Sequence, residues 1–215
     1  GFPFAVWARL LRRVISDEGE RLLKVSPHSG VPELRQAIVG YLRQFRGIDV
    51  SPEQVVVGAG TEYLYNLIVQ LLGRDKVFGL EQPGYPKAGK VYALNGAKCV
   101  PLTMDVTPIA RRQSLLRWAR EEAGRYIIED DYDSEFRFTG RPIPTLQSID
   151  RSGRVIYMNT FSRTLAPSLR ISYMVLPPAL LEDYHRRLGF YSCTVPAMEQ
   201  YTLARFLSGG GFETH

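Results

Sequence analysis

The chain has 215 residues, 45% hydrophobic and 23% charged, the balance of a soluble globular protein able to bury a core in one sizeable domain or two small ones. Its net charge of +5 comes from scattered Lys and Arg ("RLLRR", "RR", "HRRL"), which weighs against a dedicated nucleic-acid face. Cys99 and Cys193, with His28, His185 and His215, have no ligand spacing and give no disulfide framework or metal site; no long apolar run or leader marks a membrane span or signal peptide, so a reducing cytoplasm is the default.

In chain order, apolar residues at helical spacing predict helices over residues 4–15 and 33–45, the second with Pro32 near a first-turn position that tolerates it. "QVVVGAGTEYLYNLIVQLL" then reads as a strand at 54–57, a glycine turn, and a helix from near Thr61. Four more strands are expected at 76–81, 97–104, 125–130 and 154–160. Helical patterns lie between them, clearest at 110–124, and two more helices follow at 178–189 and 196–208. Trp7, Phe45, Trp118, Phe190 and Phe206 read as core or dimer packing, and Arg111, Arg112, Arg117 and Arg120 as a solvated helix face. The alternation predicts an α/β fold, a mostly parallel sheet flanked by helices on both faces. The chain opens directly on a helical pattern and stops at "FLSGGGFETH", so a fragment of a longer protein is expected.

Ligands of open α/β sheets sit outside the carboxyl ends of the strands, which makes those ends the place to look for chemistry. Strand 54–57 leads into Gly58, Ala59, Gly60, Thr61 and Glu62, where glycines and a helix N-terminus suit an anion. A tight strand–helix turn with Thr61 as N-cap explains the same residues. Strand 76–81 leads to a turn presenting Tyr85. Strand 125–130 ends in Glu129, Asp130, Asp131, Tyr132 and Asp133, carboxylates that must meet cations, solvent or a hard metal ion. Strand 154–160 leads to Ser162, Arg163 and Arg170, two guanidiniums that a packed core does not need. Together these groups suit a flat, phosphorylated heteroaromatic cofactor whose ring nitrogen a carboxylate keeps protonated.

The segments "VVVGAGTEYLYNLIVQLL", "EQPGYPKAGKVY", "RYIIEDDYDSEFRF", "RPIPTLQSID" and "VIYMNTFSRTLAPSLRISYMVLPP" resemble the aminotransferase-like domain of MocR/GabR-type regulators of the GntR family, over nearly the whole chain. The resemblance implies the large domain of the pyridoxal-phosphate-dependent transferase fold of type I, spanning residues 1–215. It implies that Gly60, Thr61 and Glu62 supply main-chain or hydroxyl donors to the cofactor phosphate, completed by Ser162 and Arg170. Tyr85 then stacks on the pyridine ring, Asp130 pairs with the ring nitrogen, Tyr132 bonds the phenolic oxygen, and Lys87 stands near the ligand. It further implies a homodimer, pyridoxal phosphate or a small amino compound as effector, and DNA contact through a winged-helix domain not present here. A C-terminal small domain is likewise not expected in this chain.

Arg163 departs from the pattern, for it stands where the family has its Schiff-base lysine. A guanidinium stays protonated and is no nucleophile, so the site is not competent for transamination by the usual route. Pyridoxal phosphate is expected to be non-covalent, weak or absent. Only Val106, Thr107 and Pro108 separate "LTMD" from "IARRQ", a shorter join than the family has, and the loop at 24–30 lacks the family's Tyr-Gly-Asp-Pro pattern. Two alternatives stay open: a class I/II aminotransferase large domain made inactive by Lys-to-Arg replacement, and an α/β interaction domain that has lost its ligand.

Overall fold

The computed structural model describes residues 1–82, 84–103, 108–131 and 143–211, with Pro108 and Ile109 described by backbone alone. Helix α1 (Phe4–Glu18) is followed by α2 (Pro32–Arg46), strand β1 (Val55–Gly58), α3 (Thr61–Leu72), β2 (Val77–Gln82), α4 (Pro86–Leu94) and β3 (Lys98–Thr103). Then come α5 (Pro108–Glu121), β4 (Ile127–Asp130), the short α6 (Leu146–Ile149), β5 (Val155–Thr160), the short α7 (Phe161–Thr164) and β6 (Ser172–Val175). Helices α8 (Pro178–Leu188) and α9 (Ala197–Ser208) close the described chain. Pro32 sits in the first turn of α2, where its missing N–H costs nothing, and Gly47 ends that helix in the left-handed conformation.

Four strands form one sheet in the order β1-β6-β5-β4, and β2 pairs β3 in a second ladder. Successive side chains point to opposite faces of a strand, and here both faces are covered. Val55, Val57, Tyr157, Tyr173 and Val175 pack with α1, α2 and α9 on one side. Val56, Ile156, Met158 and Met174 pack with α3 and α8 on the other. That explains why the strands read as continuous apolar runs instead of alternating ones. A fully buried side chain such as Ile38 or Ile68 contributes about 1.5–3 kcal/mol through the water it leaves.

The helix-flanked α/β architecture is as the alternation predicts, with boundaries within a few residues. The pairing directions differ in part. β2–β3 and β4–β5 are parallel, but β6 runs antiparallel to both β1 and β5. This strand did not announce itself in the sequence, and it lies centrally because the chain reverses after β5 through α7. Among the aromatics, Phe206 is in the core with Trp7 against it at 5.8 Å. Phe45, Trp118 and Phe190 are exposed within this chain, so of the expected core or dimer packing the core part does not hold for them. Trp118 lies under the Arg125 guanidinium. Arg117 and Arg120 are solvated as expected, but Arg111 pairs with Glu81, and Arg112 bonds the Pro144 carbonyl.

Candidate functional site

One row of the sheet register carries Gly58 of β1, Ser172 of β6 and Thr160 of β5. The carboxyl ends of β1 and β5 therefore lie at one edge, with Asp130 at the end of β4 opposite Met158. From this edge α3 and α7 set out. α3 begins with no side-chain cap: its N-cap is Gly60, not Thr61, at φ 96 and ψ 156, a conformation essentially reserved for glycine. A Cβ at Gly60 would stand 2.4 Å from Arg170 Nη2, so the missing side chain lets that guanidinium lie against the first turn of α3. Glu62, in the first turn of the helix, accepts from Arg170 at 3.1 Å and from Lys87 at 3.2 Å. The bond from its own main-chain N–H holds the Glu62 carboxyl below its usual range, against its burial and with help from Lys87 and Arg170.

These groups line a cleft of about 570 Å³, together with Thr61, Tyr85, Thr160, Ser162, Arg163 and Pro167. Three cationic side chains face one carboxylate there, so the cleft suits an anion. Thr160 organises its floor: its hydroxyl accepts from Ser162 N at 3.1 Å and from Ser172 Oγ at 2.8 Å. Ser162 itself is buried, and among the described residues its hydroxyl oxygen meets no hydrogen-bond partner. Burying an unmatched hydroxyl is unfavourable by about 1–3 kcal/mol, which a ligand oxygen at this point would relieve. The donor set therefore fits a phosphate-bearing ligand. A second cleft, about 550 Å³ between α2 and α9, is lined by Glu18, Glu33, Tyr41, Tyr201 and Arg205 and holds none of the strand-end groups.

The acidic run after β4 is resolved residue by residue. Glu129 accepts from the main-chain N–H groups of Leu146 and Gln147 at 2.7 and 3.0 Å; burial raises its carboxyl pKa even so. Asp131 is paired with Arg46 and accepts from the Tyr157 hydroxyl at 2.6 Å. Asp130 accepts from the hydroxyl of Tyr65, one turn along α3 from Thr61; burial, then the Asp130 charge, pushes that phenol well above its usual pKa. Among the described residues no group of three or more His, Cys, Asp or Glu could hold a metal ion.

Of the residues singled out in the sequence, Thr61, Glu62, Tyr85, Lys87, Ser162, Arg163 and Arg170 line one cleft. Gly60 adjoins it through Arg170. Asp130 is at the same sheet edge and tied to α3 by Tyr65, without lining the cleft. Tyr132 lies outside the described residues, as do 104–107 in the shortened join. Sequence reasoning missed Thr160, whose place at a strand end before Ser162 was its signal, and Tyr65, whose signal was helical spacing from Thr61. Arg46 gave none. Gly60→Ala is expected to lower stability by about 1–3 kcal/mol and to weaken phosphate binding by displacing Arg170; urea unfolding and calorimetry with inorganic phosphate check both.

A family model, aminotransferase class I and II, matches residues 2–108. A protein of Bacillus subtilis (strain 168), described as the uncharacterized HTH-type transcriptional regulator YdeL, is 40% identical over 243 aligned positions, covering 100% of this chain and 52% of the relative. The probable rhizopine catabolism regulatory protein MocR of Rhizobium meliloti is 38% identical, covering 100% of this chain and 49% of its own length. The chain thus spans about half the length of the curated relatives it matches. The alignment to the B. subtilis protein runs to 243 positions against 215 residues here, so that relative carries residues this chain lacks. Among solved structures, an archaeal alanine:glyoxylate aminotransferase superposes with a TM-score of 0.87 at 23% identity, covering 99% of this chain and 62% of the other. The α-aminoadipate aminotransferase LysN of Thermus thermophilus gives 0.84 at 24% identity, again over 99% and 62%. At these identities the likeness establishes the fold, the helix-flanked sheet of pyridoxal-phosphate-dependent aminotransferases.

Proposed function

Because the chain belongs to the aminotransferase class I and II family and is similar along its whole length to HTH-type transcriptional regulators, we propose that it is the pyridoxal-phosphate-binding, effector-sensing domain of such a regulator. The observation that carries this reading is the anion-fitted cleft at the strand ends, with Arg170 against the N-terminus of α3 and the buried Ser162 hydroxyl beside it.

Main-chain N–H groups at Thr61 and Glu62, with the Thr61 and Ser162 hydroxyls, donate to the phosphate. Gly60, whose own N–H is taken by the Gly58 carbonyl at 3.1 Å, leaves room for Arg170, which neutralises the charge. Tyr85 covers the ring face, and Asp130 holds the ring-nitrogen proton, with the Tyr65 hydroxyl orienting its carboxylate. Tyr132 is assigned to the phenolic oxygen by resemblance. When bound, the cofactor supplies an electron sink for the chemistry of amines. Arg163 occupies the position of the family's lysine, and its guanidinium keeps a positive charge in the cleft while offering no nucleophile. Retention is therefore reversible, and the bound cofactor, or an amino compound meeting it, is the signal read by the attached DNA-binding segment. Pairing of two chains and a winged-helix segment belong to this reading. Among the described residues no helix is long and apolar enough to cross a membrane.

Titration with pyridoxal phosphate, followed by tryptophan and tyrosine fluorescence, tests the reading. Saturable binding that inorganic phosphate displaces is expected. Arg170→Met should weaken it about 10- to 100-fold, the worth of one charge-assisted pair of hydrogen bonds. Equal affinity in that variant would remove Arg170 from the phosphate site. The fold of the solved relatives also favours a second reading, an aminotransferase large domain silenced by the same replacement. Operator-DNA binding by the full-length protein separates the two.

A further inference from the structure

Lys87 and Arg170 are the cations that a phosphate group would use, yet both already hold the same carboxylate. Glu62 Oε1 meets Lys87 Nζ at 3.2 Å, and Oε2 meets Arg170 Nη2 at 3.1 Å. The carboxylate also stands at the first turn of α3, close enough to the Gly60 Cα that a Cβ built there would be 3.3 Å from Oε2. It therefore sits among the helix N-terminal donors that favour an anion. Nearby, the buried Ser162 hydroxyl points to a ligand by a separate route, since among the described residues nothing accepts or donates to it.

We propose that the Glu62 carboxylate is a built-in competitor for the phosphate: it fills the anion position with the chain's own charge and must swing out, releasing Lys87 and Arg170, before a phosphorylated ligand can bind. The inference rests on the reading of this cleft as a phosphate site, but it assigns Glu62 a role opposite to that of a ligand-holding side chain. Only its main-chain N–H serves the ligand. The three side chains are well placed for such a swing, with 37% of the Glu62 side chain exposed, 55% of Arg170 and 59% of Lys87. Exposed pairs of this kind are weak individually, so a dianion that gathers several donors at once displaces the carboxylate, whereas a monoanion such as chloride does so poorly. The device sets affinity low enough for the site to empty and refill as ligand concentration changes, as a sensor requires.

The test is calorimetry of the intact protein with inorganic phosphate, and fluorescence titration with pyridoxal phosphate, for the unmodified chain, Glu62→Gln and Glu62→Asp. Removing the charge in Glu62→Gln should tighten both ligands about tenfold, the combined worth of two exposed ion pairs. Glu62→Asp, which keeps the charge but draws it back from both cations, should fall between and decides the matter if the glutamine variant folds poorly. Unchanged or weaker phosphate and cofactor binding in both variants, where the unmodified chain binds, overturns the competition while leaving the cofactor reading intact. Tighter phosphate without any pyridoxal phosphate binding supports the competition and overturns the cofactor reading. Absence of both ligands from all three proteins overturns both.

Discussion

Arg163→Lys is expected to turn reversible cofactor binding into covalent retention. Arg163 sits in α7, directly after β5, and lines the cleft beside Ser162 and Arg170. A lysine there keeps the reach and the charge at rest, but its amine can lose a proton and act as a nucleophile toward a carbonyl carbon, which a guanidinium cannot do. After incubation with pyridoxal phosphate and borohydride, mass spectrometry should find about one cofactor per chain on residue 163 of the variant. The unmodified protein should carry none there and should lose its cofactor on dialysis. Stability should hardly change, since the residue is exposed and such substitutions fall within about ±0.5 kcal/mol. Labelling of the unmodified chain at position 163 would refute the view that the tether is missing. A variant that binds the cofactor reversibly and is never labelled would show that residue 163 does not face the cofactor's carbonyl.

What was legible in the sequence, and what was not, follows from the range of the interactions. Strands β1 and β5 and helices α2 and α3 announced themselves because apolar periodicity is local. The strand-end rule then brought Gly60, Thr61, Ser162 and Arg170 into one proposal without any knowledge of distances, and these residues do gather at one sheet edge. β6 escaped because four residues after a polar turn carry too little pattern, and its antiparallel direction depends on how α7 and the turn at 165–171 reverse the chain. The role of the Glu62 side chain was out of reach too. Its partner Arg170 is 108 residues away, and nothing near Glu62 says whether its carboxylate serves a ligand or replaces one. The acidic run was similarly ambiguous: three adjacent carboxylates read alike in sequence, yet Glu129 anchors α6, Asp130 meets Tyr65, and Asp131 meets Arg46.

Asp131→Asn is expected to destabilise the fold by about 3–5 kcal/mol, the usual consequence of leaving one member of a buried ion pair alone. Arg46 Nη2 and Asp131 Oδ2 are 2.7 Å apart, with only 11% and 13% of their side chains exposed. Arg46 Nε donates to the same oxygen at 2.8 Å. Burial works against the Arg46 charge, but Asp131 and then Tyr157 outweigh it and raise the guanidinium above its ordinary pKa. The pair joins α2, 85 residues earlier in the chain, to the end of β4 beside Asp130, so its loss should loosen the edge that carries the cleft. Replacing both partners, Arg46→Met with Asp131→Leu, removes the stranded charge and should recover most of the loss. It will not recover all of it, because the Tyr157 hydroxyl, which donates to Asp131 at 2.6 Å, is then left without that acceptor at a cost of about 1–3 kcal/mol. Urea unfolding of the single and double variants measures the coupling directly. A loss below about 1 kcal/mol in the single variant would mean that water reaches the guanidinium and that the pair behaves as a surface contact. Cofactor affinity should fall in the single variant and return in the double one, since the edge and not the charge is what the cleft depends on.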